Sequence, residues 1–145
     1  MSTSDRIERW ALRLAGAFVL AIGVGHAFLP TLGYPTSATA GMSRAAEEHF
    51  YYLGTYAIGM FLLGFALLSF ISSTRPSLAF STVMTMVWTI RLVLEFAYPV
   101  DIQIFLLQRP HTIITPVLAA IAAAYITASL AGLARRRTLA PIHET

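Results

Sequence analysis

The chain has 145 residues, 57% of them hydrophobic and only 12% charged, about half the charge of an ordinary soluble domain, so lipid is its expected solvent. It has no Cys, which excludes disulfides, CxxC redox chemistry, thiolate zinc sites, iron–sulfur clusters and cysteine nucleophiles. Its pI of about 9.7 comes from ten Arg and no Lys, gathered at the ends of apolar blocks rather than on a stripe interleaved with aromatics, so no nucleic-acid partner is expected.

The apolar residues form four blocks of about 20, the length that crosses a hydrocarbon core of about 30 Å. The first covers residues 10–29, preceded by Arg6 and Arg9, with Arg13 near enough to the edge to snorkel, and ends at Pro30. Ala38-Thr39-Ala40 resembles a leader cleavage pattern, but it lies far beyond an apolar run that is already longer than a leader needs, so the first helix is expected to be retained. This block carries His26 one turn before Pro30, on a face shared with Gly16, Val19 and Gly23.

The second block covers residues 50–71 and stops at Ser72, Ser73, Thr74, Arg75 and Pro76, a polar turn. Around its start His49, Tyr52 and Tyr56 share one face. The third covers residues 78–100, closed by Pro99, and its least lipid-like face collects Met84, Trp88, Arg91, Glu95 and Tyr98. Arg91 and Glu95 are four residues apart and can pair; ionisable groups inside a membrane segment are expensive and face the bundle interior or a cavity. Arg91 lies about 20 Å from the start of its block. A segment over 101–110 leads to the fourth block, residues 112–133, which has His111 and Thr115 at its start and Arg135, Arg136 and Arg137 after its end. Gly23-Val24-Gly25 and the glycines from Gly54 to Gly64 read as close helix contacts rather than phosphate loops.

These blocks predict an all-α fold: a single-domain, integral membrane four-helix bundle. With the N-terminus inside, the inner segments hold Arg6, Arg9, Arg13, Arg75 and Arg135 to Arg137, and the outer loops over 31–49 and 101–111 hold only Arg44 and Arg109. That asymmetry predicts an N-in/C-in, multi-pass protein of the cell membrane, of the bacterial inner-membrane kind. The short connections predict that the helices pack in sequence order as antiparallel neighbours.

Every block brings a polar group to the outer half, whereas the inner half reads as aliphatic and small, so a one-sided polar pocket is expected there. Its ligand would be a lipid-soluble molecule with a polar head, quinone-like or sterol-like. If it is a catalytic site, Glu95 moves a proton, His26 is its partner and Arg91 holds developing negative charge. Tyr52, Tyr56, Trp88, Tyr98, His49 and His111 are the candidate ligand-binding residues; no metal ligand is assigned, and the cofactor is unknown. Bland readings stand beside these. Arg91 and Glu95 can be a structural clasp. Tyr34, Tyr51, Tyr52 and Tyr98 can form an interfacial belt. His49 and His111 can be merely interfacial, and His143 sits in a polar tail. Two other classes of function stay open. His26, His49, His111 and Glu95 could hold a metal, or two histidines a haem, although no HxxxH or HExxH spacing is present. Alternatively the chain is an accessory subunit, a partner in a membrane complex or a homo-oligomer. Whether it is an enzyme is left open.

The four-helix plan, His26 after a Gly-rich first helix, and the stretch Arg91-Leu92-Val93-Leu94-Glu95 resemble the DoxX-like group of small bacterial membrane proteins. The similarity spans the whole chain in layout. It implies the same four-helix fold and, since some members of the group resemble quinone-reducing subunits, a quinone as one candidate ligand. The chain departs from the group at the start of the second block, where Glu47, Glu48 and His49 stand in place of an Arg.

Overall fold

Apolar side chains in runs of this length satisfy their backbone only as helices, because hydrocarbon supplies no hydrogen bonds. The computed structural model describes residues 2–32, 44–98 and 109–139. It has four helices, α1 (Thr3–Phe28), α2 (Arg44–Thr74), α3 (Leu78–Ala97) and α4 (His111–Leu139), with a short 3-10 turn at Leu29–Leu32. All four are long and apolar enough to cross a membrane, and no strand occurs among the described residues. The expectations attached to Tyr34, to Ala38-Thr39-Ala40, to 101–108 and to His143 lie outside those residues.

The helices outrun the apolar blocks. α1 starts at Thr3 rather than near residue 10, α2 at Arg44 rather than near 50, and α4 continues to Leu139 rather than stopping near 133. Hydropathy marks where lipid can lie, whereas a capped helix propagates into its polar flank. Ser2 caps α1 by accepting from the Asp5 N–H at 3.1 Å.

The order of packing differs from the expected one. α1 packs against α2 and against α4, α4 packs against α3, and α2 and α3 make no substantial contact although only residues 75–77 join them. The sequence around the bundle is therefore α2–α1–α4–α3. A short turn holds two helix ends together, but the directions in which the helices leave it are set by the faces they bury. The helices alternate in direction: at one end, here called proximal, the start of α1 meets the end of α2 and the end of α4, with Arg9 Nη1 donating to the Thr74 carbonyl at 2.9 Å and Arg135 Nη2 to the Pro76 carbonyl at 3.3 Å.

The buried core runs between α1 and α4, with Leu12, Ala15 and Val19 facing Ile121, Tyr125 and Ala128, flanked by Ala66 of α2 and Met84 of α3. Small residues allow the close approach of α1 and α2. A Cβ added at Gly16 would stand 3.1 Å from Ser69 Cβ, and one at Gly23 would stand 3.1 Å from Leu62 Cβ. Gly59 completes this seam, 3.3 Å from the Ala27 backbone nitrogen by the same measure. Gly25, Gly54 and Gly64 meet nothing within 4 Å, so close contact does not explain those three.

Candidate functional site

At the distal end the failure of α2 and α3 to close leaves a cavity of about 620 Å³, within the range of small-molecule pockets. All four helices line it. The wall is apolar at nine positions: Ile22, Ile58, Leu62, Phe65, Val87, Ile113, Ile114, Val117 and Leu118. Three polar side chains interrupt it: His26 from α1 and Trp88 and Arg91 from α3.

Each of the three is placed by its own helix. His26 lies in the last turn of α1 and its Nδ1 is 3.0 Å from the Ile22 carbonyl. A carbonyl only accepts, so Nδ1 carries the proton of that bond, and in the neutral ring Nε2 is left as an acceptor. A Cβ added at Gly59 would lie 3.5 Å from His26 Cβ, so the glycine leaves room for the histidine beside α2. Trp88 is buried, and its indole Nε1–H has no hydrogen-bond partner among the described residues. A buried donor without a partner is uncommon. Arg91 sits one turn further along α3 and is half-exposed, with Nη2 2.9 Å from Glu95 Oε2.

Glu95 is 2% exposed and does not line the cavity. Its contact with Arg91 is ionic rather than an aligned hydrogen bond, and Oε1 has no partner among the described residues. The guanidinium of Arg91 therefore has two neighbours: the cavity and a buried carboxylate behind it.

The remaining sequence candidates are placed elsewhere. Tyr98 is 77% exposed; α3 ends at Ala97 and Tyr98 is its cap, so helical periodicity no longer carries it onto the inward face of Met84, Trp88 and Glu95. Tyr56 and His49 are exposed, and Tyr52 is half-buried in an edge-to-face contact with Tyr51 at 5.4 Å. The buried face of α2 runs instead through Thr55, Gly59, Leu62, Ala66 and Ser69. His111 is half-buried at the start of α4, its Nδ1 without a hydrogen-bond partner among the described residues. No group of three or more metal-binding side chains occurs among the described residues, so no three of His26, His49, His111 and Glu95 meet there as a metal site.

The proximal half is more polar than the sequence suggests. Glu8 is fully buried and Arg135 Nε donates to its Oε2 at 2.9 Å, joining the start of α1 to the end of α4. A Cβ at Gly132 would lie 2.8 Å from Glu8 Oε1, so the glycine makes room for the carboxylate. Further in, Ser69 and the buried Tyr125 share a hydrogen bond, and Thr85 and Ser129 share one at 3.0 Å. Glu8 is not among the sequence candidates; the one signal for it is spacing, since with Leu12, Ala15, Val19 and Gly23 it continues the buried face of α1.

These features define a protein of four apolar helices with a cavity at its distal end whose apolar wall carries three polar side chains. No family model matches the chain, and no curated protein or solved structure matches it significantly.

Proposed function

We propose that the chain is a multi-pass protein of the cell membrane, of the bacterial inner-membrane kind with both termini inside, that binds a lipid-soluble molecule in the distal cavity. The single observation that carries the reading is the composition of the cavity wall: an aliphatic surround for a hydrophobic body, with His26, Trp88 and Arg91 among the lining for a polar head. Arg91 donates, His26 Nε2 accepts, and Trp88 contributes the surface of its ring. A quinone-like or sterol-like head supplies the complementary carbonyl or hydroxyl. The DoxX-like resemblance favours the quinone. If chemistry takes place, His26 Nε2 is the group placed to exchange a proton with a hydroxyl in the cavity, with Arg91 donating from its remaining N–H groups while paired to Glu95.

The orientation rests on the Arg asymmetry. Reporter fusions at Arg75 and at Arg137 are expected to read as cytoplasmic, and an external signal at either reverses it.

The binding reading is tested by thermal unfolding of the protein in nanodiscs with a decyl-substituted benzoquinone and with a sterol. Stabilisation by one of them is expected, with loss of that stabilisation in His26→Ala and Trp88→Ala. Should Arg91→Met with Glu95→Leu fold normally and retain the same stabilisation, the pair is a structural clasp and plays no part in binding.

A further inference from the structure

The charge arrangement around Arg91 says more about what the cavity accepts. The carboxylate of Glu95 is buried, and among the described residues its negative charge is balanced by Arg91 alone. An anionic ligand head that drew Arg91 to itself would leave Glu95 as a lone charge in a low-dielectric interior, the arrangement proteins tolerate least. Arg91 and Glu95 together carry no net charge. What the cavity still offers is dipolar: the remaining N–H groups of Arg91 and the Nε2 acceptor of His26.

The direction of access follows from the packing. α1 and α4 are closed against each other and each holds one outer helix, so the open side of the bundle lies between α2 and α3. Ile58 on α2 and Val87 on α3 both line the cavity and are both exposed, at 49% and 41%. Both are residues that hydrocarbon solvates well.

Building on the proposed binding function, we infer that the cavity selects an uncharged lipid-soluble carbonyl or hydroxyl compound, and that this ligand enters sideways from the bilayer between α2 and α3. A charged head meets two obstacles: the hydrocarbon it must cross at the cleft, and an arginine already committed to Glu95.

The test uses two probes that differ only in the head group, dibrominated stearyl alcohol and dibrominated stearate, added to the full chain in nanodiscs at a pH where the carboxylate is ionised. Trp10→Phe leaves Trp88 as the sole tryptophan, and bromine quenches it on entering the cavity. The alcohol is expected to quench saturably, at a membrane mole fraction at least about tenfold lower than the stearate. Equal or tighter binding of the stearate overturns the selectivity while leaving the binding function standing. Saturable quenching by neither probe removes the binding function itself. For the route, Ile58→Cys with Val87→Cys in this Cys-free chain is bridged by a bifunctional thiol reagent, with each single variant carrying the capped monofunctional reagent as control. Bridging is expected to slow the onset of alcohol quenching at least about tenfold, and an unchanged onset overturns sideways access.

Discussion

Two ion pairs sit at opposite ends of the same bundle and are built in opposite ways. At the proximal end Glu8 and Arg135 belong to different helices, meet through an aligned hydrogen bond, and are enclosed by Gly132 and the turn at Pro76. At the distal end Arg91 and Glu95 belong to one helix, touch without an aligned hydrogen bond, and leave the arginine on a cavity wall. The first pair joins α1 to α4 and cannot form until both are present. The second forms within α3 and ties no helices together by itself, so its arginine keeps N–H groups on the cavity wall while its charge stays matched to Glu95. Proximity of opposite charges is common to both; what separates them is whether the packing around the pair is finished.

The largest effect that tests this contrast comes from Arg135→Met, which leaves Glu8 buried without its cation and is expected to cost about 3–5 kcal/mol of stability. Arg135→Met with Glu8→Leu should recover most of that loss. Measured by denaturant unfolding in detergent, equal losses in the single and double variants would mean that Glu8 is not held as a charge.

A sharper comparison is available at the distal pair, where the two partners are unequal. Arg91→Met strands a buried carboxylate and is expected to cost about 2–3 kcal/mol, whereas Glu95→Gln leaves a half-exposed arginine able to turn toward the cavity and should cost about 1 kcal/mol or less. A reversed order would place the desolvated member of the pair at the arginine.

The smallest effects distinguish glycines. Gly132→Ala drives a methyl toward Glu8 Oε1, and because Arg135 restrains that carboxylate the cost is expected to be about 1–2 kcal/mol. Gly25→Ala, directed into open space, should be neutral or slightly stabilising through helix propensity. Thermal midpoints of the two variants side by side provide the reading, and a neutral Gly132→Ala would show that the Glu8 side chain has room to give.

The four helices were legible because span length and apolarity are set by the bilayer, and the inward face of α3 was legible because Arg91 and Glu95 have few tolerable places to point. The packing order was not. The three-residue connection at 75–77 fixes where α2 and α3 meet, but Gly16, Gly23 and Gly59 draw α2 onto α1 instead. Tyr98 and Tyr56 were assigned by periodicity alone, which fails for Tyr98 beyond the helix end and for Tyr56 because the buried face of α2 lies elsewhere on its circumference. Glu8 was hidden among flanking charges, Asp5, Arg6 and Arg9, that a hydropathy reading treats as a polar leader to the span. The emptiness between α2 and α3 has no sequence signature, since it is a property of contacts that were never made.

The seating of α1 between α2 and α4 also sets an order of assembly during synthesis. α1 can dock with α2 as soon as both have been inserted, yet its other face, with Leu12, Val19 and Glu8, has no partner until the last helix leaves the ribosome. Throughout that interval α1 carries an uncompensated carboxylate, and α3 waits as well, because its packing partner is α4. α4 therefore acts as the keystone of assembly: until it arrives, the buried face of α1 and the inward face of α3 both lack the surface they pack against.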